Sequence, residues 1–231
     1  MSYNFHKTKF FDNRGKFEIG GRKNVDLILL YYVVKYFKPQ KILDLAFGLG
    51  ETFCALYEAS PGADITAVDI QLETQDFDRV YGNNRENITL VNQIPQEYET
   101  NDRYDFIRVE STCVDYQEQL DLFNKCKTLL SPGGILMIDD FYLAYTDKCI
   151  SELFANDQEW IPFLSGPESL FIHNQSHDAS VFLDQEIELL NKIASLYNEN
   201  YKGSTVKTVK SSEVILDNDD IFKLICERYS L

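Results

Sequence analysis

The sequence predicts an α/β fold built on a doubly wound, mostly parallel sheet. Short apolar runs alternate with helix-compatible segments five times along the first 140 residues, as in parallel sheets whose crossover helices cover both faces. A glycine pair, Gly48-x-Gly50, divides the first run from the segment after it. Glycine tolerates φ > 0, so the chain can turn tightly there and bring bare backbone N–H groups and a helix start close to a ligand. Four of the five runs end in acids, and ligands of such sheets sit outside the carboxyl ends of the strands.

Taken in order, VDLILLYYVVKYF after Asn24 is apolar on most faces and reads as a buried helix that Pro39 ends. KILDL follows as the first strand, then the glycine turn and the helix ETFCALYEA. Further strands are ADITAVDI (63–70), NITLVNQ (87–93), YDFIRVE (104–110) and GGILMIDDF (133–141). Between them lie helix-compatible stretches from Thr74 to Tyr81 and from 116 to 130, the latter with Leu120, Phe123, Cys126 and Leu130 on one face. EWIPFLSGP and ESLFIHN, joined by Gly166-Pro167, predict an antiparallel hairpin. In the tail, Leu183, Ile187, Leu190, Ala194 and Tyr197 line one helical face, which suits an appendage or a contact between two copies of the chain. The expected organisation is an arm or lid at 1–20, one ligand-binding domain at 21–175 and a helical appendage at 176–231 packed on it.

Composition narrows the function. With 37 acidic against 22 basic residues and a net charge of −15, the summed field repels a phosphate backbone, so nucleic acid is not an expected partner. The longest apolar run is far short of the ~20 residues that span a bilayer, and no membrane association is expected. The opening MSYNFHKTKFFDNRGKFEIGG carries charge throughout and lacks the apolar core of a secretory signal. Five cysteines form no C-x-x-C pair, in keeping with reduced thiols and a cytoplasmic location.

The strand-end acids are Asp44, Asp69, Glu110 and the pair Asp139-Asp140. Any one of them alone is more often a helix cap or a solvated loop residue; together they point to a site. Asp69 follows Gly50 by roughly the ~20 residues at which a carboxylate meets ribose hydroxyls in dinucleotide folds. Phe53 stands where the third glycine of the dinucleotide fingerprint would fall, which disfavours a pyrophosphate. An adenosine compound without one remains, and S-adenosylmethionine is the common candidate.

These residues resemble a known family. KILDLAFGLGET is similar to the first motif of class I S-adenosylmethionine-dependent methyltransferases, TAVDI to the acidic end of their second strand, and LLSPGGILMIDDF to their fifth-strand motif. The resemblance runs from about Phe17 to Asn174. It implies a Rossmann-like, mostly parallel seven-stranded sheet that finishes in an antiparallel hairpin. Within the family, Asp139-Asp140 with Glu110 resemble the metal-dependent O-methyltransferases of the catechol and macrocin types. That implies methylation of a small-molecule hydroxyl such as a sugar, a polyol or a natural-product-like acceptor, with Glu110, Asp139 and Asp140 holding Mg²⁺ or another divalent cation. Adjacent strands ~4.8 Å apart would let such acids converge on a hard, oxygen-seeking ion.

Carried over residue by residue, the resemblance implies that Asp44, Gly48 and Gly50 shape the cofactor turn and that Phe47 narrows its mouth. Thr52 would bond the methionine carboxylate, Asp69 would hold the ribose, and Ile70 with the Asn92-Gln93 strand end would flank the adenine. Glu110 is counted with the cofactor contacts as well as the metal ligands, and Asp140 is the candidate catalytic base. The chain departs from the family at Cys113, near the usual place of a Lys or His base. His173 reads as structural and His177 as solvated, while Phe141, Tyr142, Tyr145 and Trp160 are candidates for a pocket wall or for core. Two rival readings remain open: a partner protein that kept the fold without the catalysis, and a nicotinamide-dependent oxidoreductase.

Overall fold

The structure, a computed structural model, describes residues 30–31, 33–35, 37–48, 50–72, 74, 77–78, 85–111, 115–140, 145–154, 157, 159–165, 169–174 and 207–208. The chain divides into two compact units, Met1–Thr100 and Asn101–Leu231, a division that falls inside the span 21–175. The proposed arm at 1–20 and the tail helix near 183–197 lie outside the described residues.

In the first unit, helical residues 30–31, 33–35 and 37 end where Lys38 turns into the left-handed region and donates its N–H to the Val34 carbonyl at 2.9 Å. Pro39 cannot continue a helix. Strand β1 (Lys41–Leu45) pairs in parallel with β2 (Asp64–Asp69), and β2 in parallel with β3 (Ile88–Asn92). Ile42, Leu43, Asp44 and Leu45 are all buried, as in a parallel strand covered on both faces. Helix α1 (Glu51–Ala59) connects β1 to β2. Its Phe53 lies 4.8 Å from Phe77, which in turn meets Tyr57 edge-on at 5.0 Å, and such pairs add about 0.5–1.5 kcal/mol each beyond their burial. Arg85 bonds both Asp78 oxygens at 2.8 Å and Thr74 Oγ1 at 2.7 Å.

The second unit contains β4 (Tyr104–Glu110), α2 (Tyr116–Leu129), β5 (Leu130–Asp139), α3 (Thr146–Phe154), β6 (Trp160–Ser165), β7 (Ser169–Asn174) and the two-residue β8 (Lys207–Thr208). Strands β4 and β5 run parallel, whereas β7 is antiparallel to both β5 and β6, and β8 is antiparallel to β6. With β8, the strands among the described residues number eight rather than seven; a two-residue edge pairing leaves no periodic signal.

Two local readings shift. Strand β5 starts at Leu130, not at 133, because Leu130 pairs with Tyr104 across an irregularity in the β4 register. Gly134 permits this: a Cβ there would lie 2.8 Å from Leu130 Cγ and 3.0 Å from the Asp105 carbonyl oxygen. The buried face of α2 is Gln119, Leu122, Phe123, Cys126 and Leu129, so Leu120 is only half-buried. Asp115 caps that helix by accepting from the N–H groups of Gln117 and Glu118 at 2.8 and 3.3 Å. Lys127, near its end, donates to Asp157 and to the Leu153 carbonyl, both at 2.8 Å, and lies over the rings of Phe154 and Trp160. No helix among the described residues is long and apolar enough to cross a membrane.

Candidate functional site

The first unit places the glycine turn against the end of β2. Ala46, Gly48 and Gly50 all take positive φ (62°, 58° and 91°), so the chain reverses in a few residues after β1. A Cβ on Gly48 would meet nothing within 4 Å; backbone conformation, and not crowding, calls for glycine there. Asp69, buried at the end of β2, accepts the Gly48 N–H on Oδ2 at 2.9 Å and the Gln71 N–H on Oδ1 at 3.1 Å. One carboxylate therefore ties the turn to the second strand end. Gly50 is the N-cap of α1 and offers no side-chain cap, so the helix start presents backbone N–H groups and a positive dipole end suited to an anion.

Two expectations for this turn change. Thr52 is buried and donates its hydroxyl to Asp44 Oδ2 at 3.3 Å. It bridges α1 to β1 where a contact with a methionine carboxylate was expected, because the first turn of the helix directs it inward onto the strand. Phe47, expected at the mouth of the turn, is buried with its ring centroid 6.0 Å from that of Phe53; the left-handed step at Ala46 carries it into the core. Asp44 is fully buried and accepts the Thr52 hydroxyl. Ile70 is 60% exposed, an apolar surface open to a flat ring. Its carbonyl accepts from Asn92 Nδ2 at 2.8 Å. Gln93 donates its backbone N–H to the Asp69 carbonyl at 3.0 Å and its side-chain amide to the Glu97 carbonyl at 2.9 Å.

The second unit brings Glu110 and Asp139 side by side, since these two are directly paired in the parallel β4–β5 register. Arg108, which the sequence reading passed over, lies between them. Its side chain is fully buried, and Nη2 donates to Asp139 Oδ2 at 2.6 Å and to Glu110 Oε2 at 3.1 Å. Residues 108 and 110 share a strand face because side chains alternate with period two. A basic residue inside the apolar run YDFIRVE was itself a signal, since a buried arginine requires anionic partners. Asp139 Oδ1 accepts the N–H of Asp140 at 3.2 Å, held there by the left-handed backbone of Asp140 (φ 55°). Ser111, buried beside them, donates its N–H to the Asp139 carbonyl at 3.2 Å.

The expected metal ligands therefore do not fit a divalent ion. Both Asp139 oxygens are engaged, one by a guanidinium, and the Glu110 carboxylate shares that same cation. Among the described residues no group of three His, Cys, Asp or Glu side chains could hold a metal.

His173 is buried opposite Ile135, while Ser169 is the residue opposite Asp139. Four strand residues, about 13 Å, thus separate it from the acid cluster. Trp160 is buried against Phe154 at 5.4 Å and belongs to the core. Tyr145 is half exposed and meets Tyr116 edge-on. Tyr116 donates to Glu152, and this bond foremost pushes its phenol up to about 12. Cys113, Phe141, Tyr142 and His177 lie outside the described residues.

Residues 43–138 match the family model of a methyltransferase domain. No curated protein matches the chain by sequence. Among solved structures, the SAH-bound methyltransferase PaMTH1 of Podospora anserina is 16% identical with a TM-score of 0.54, over 73% of this chain and 86% of that one. A methyltransferase of Geobacter sulfurreducens is 17% identical with a TM-score of 0.53 over the same shares. The O-methyltransferase TomG of Streptomyces achromogenes, involved in tomaymycin synthesis and solved with SAM, is 12% identical with a TM-score of 0.54, over 72% and 87%. At these identities the likeness is one of fold. Strand-end acids, glycine turn and fold agree with the match to a methyltransferase domain over residues 43–138, and the chain resembles the class I S-adenosylmethionine-dependent methyltransferases.

Proposed function

We propose that the chain transfers the methyl group of S-adenosylmethionine to a hydroxyl of a small molecule such as a sugar, a polyol or a natural-product-like acceptor. The observation that carries this is Asp69 at the end of β2, gripping the glycine turn through Gly48 within the span that matches a methyltransferase domain. In this reading Asp69 exchanges backbone contacts for ribose hydroxyls, the uncapped start of α1 receives the carboxylate of the cofactor, and Ile70 packs on the adenine. Gln93 adds a polar group at that strand end.

At the β4–β5 ends, one guanidinium stands against Glu110 and Asp139, and Asp140 adds a further carboxylate. Such a rim accepts hydrogen bonds and repels anions, which favours a hydroxyl donor over a phosphorylated or carboxylated acceptor. In the reaction the acceptor oxygen forms a bond to the methyl carbon. The carbon–sulfur bond breaks with its electron pair going to sulfur, and the sulfonium becomes a neutral thioether. The hydroxyl proton passes to the carboxylate of Asp140 and on to solvent.

The test is incubation of the full chain with methyl-labelled S-adenosylmethionine and a panel of polyhydroxylated small molecules. Label should appear in an ether of the acceptor, and Asp140→Asn should slow its formation about 100-fold. Label transferred only to amines, or transfer indifferent to Asp140→Asn, would contradict the assignment.

A further inference from the structure

We propose that Arg108 is the resident cation of the β4–β5 strand ends, so that the acceptor side of this site works without a divalent metal. The inference rests on the methyltransferase reading for its role in catalysis, but the cation assignment stands on geometry alone. Glu110 and Asp139 are directly paired in the register and converge on one guanidinium nitrogen at 3.1 and 2.6 Å. A metal ion placed between these carboxylates would need the same oxygens and would face a second positive centre at contact distance.

Arg108 cannot readily leave. Its side chain is 0% exposed, a guanidinium stays charged at any pH of interest, and an outward swing would strand Asp139 as a buried, uncompensated charge. Asp139 is fixed from its other side as well, by the Asp140 N–H on Oδ1. Arg108 is thus a positioning residue. It holds the Glu110 carboxylate, which is only partly buried, at the strand end, and fixes Asp139, whose Oδ1 accepts the N–H of Asp140.

The experiment uses the full chain and Mn²⁺ alone, with free ion followed by electron paramagnetic resonance. Wild type should show no Glu110-dependent binding tighter than about 1 mM, the weak end of protein sites for hard divalent cations. Stoichiometric binding tighter than this that Glu110→Gln abolishes would overturn the proposal. Arg108→Met vacates the seat, and Mn²⁺ should then bind at least about tenfold more tightly than to wild type and raise the melting temperature of the variant. Arg108→Lys keeps a cation in place and should show neither effect. Should Arg108→Met fail to fold, the comparison of wild type with Glu110→Gln still decides. Parallel titration with S-adenosylhomocysteine separates the two claims: absent binding there refutes the methyltransferase reading, whereas the Mn²⁺ result alone supports or overturns the cation assignment.

Discussion

Replacing Arg108 with methionine removes the guanidinium that bonds both Asp139 and Glu110 while keeping most of the side-chain volume. Only 4% of the Asp139 side chain is exposed, so water cannot take over the lost bond at 2.6 Å. Breaking a buried pair from one side costs about 3–5 kcal/mol, and Glu110, at 17% exposure and 3.1 Å, lies at the cheaper end because part of it is already wet. For a chain of this size the loss corresponds to a drop of about 6–20 °C in melting temperature. Urea unfolding followed by circular dichroism measures it. Asp139→Asn alone should also destabilise, since it leaves the buried guanidinium short of an anion. The double variant Arg108→Met/Asp139→Asn should then be more stable than the summed single losses predict, by about 2 kcal/mol. Single losses under about 1 kcal/mol, or costs that add within about 0.5 kcal/mol, would refute the buried triad.

Three further outcomes follow from the geometry. Asp69→Ala removes the acceptor for the Gly48 and Gln71 N–H groups and, in the proposed pose, the ribose anchor. S-adenosylhomocysteine affinity by calorimetry should fall about 10–100-fold, and unchanged affinity would discard the pose. Gly134→Ala should destabilise by about 1–3 kcal/mol in urea melts, since its Cβ would press on Leu130 and two carbonyls, whereas Gly48→Ala meets no atom and should cost only about 1 kcal/mol of backbone strain. Asp157 feels burial, which would raise its pKa, but its bonds from Lys127 and the Glu159 N–H together lower it. A lowered folded pKa gives stability that is present above the unfolded carboxylate range and lost as pH falls through the folded value. Lys127→Met should therefore flatten the acid limb of the stability curve, by no more than about 1 kcal/mol for a pair whose carboxylate is about a third exposed.

The strand order of chemistry along the chain was legible because buried parallel strands are short apolar runs and their ends carry the acids. Asp69 could be read from its distance to the glycine turn, and the structure joins the two directly through the Gly48 N–H. Orientation was not legible. Thr52 and Phe47 were assigned to the ligand side, yet whether a residue in a tight turn faces inward depends on the left-handed steps at Ala46, Gly48 and Gly50, which sequence spacing does not encode. On α2, Phe123 and Cys126 lie on the buried face that their spacing predicts, while Gln119 takes the buried place that hydropathy gives to Leu120. Arg108 shows the opposite failure. A charge inside an apolar strand, two residues before an acid on the same face, announces a buried ion pair, and Arg108 supplies the cation between the two carboxylates.

The most direct test of the account is calorimetric titration of the full chain with S-adenosylmethionine and S-adenosylhomocysteine, run once with Mg²⁺ and once with chelator. One site per chain, with affinity the same in both buffers, is the predicted result. Absence of binding by either compound would contradict the methyltransferase account itself.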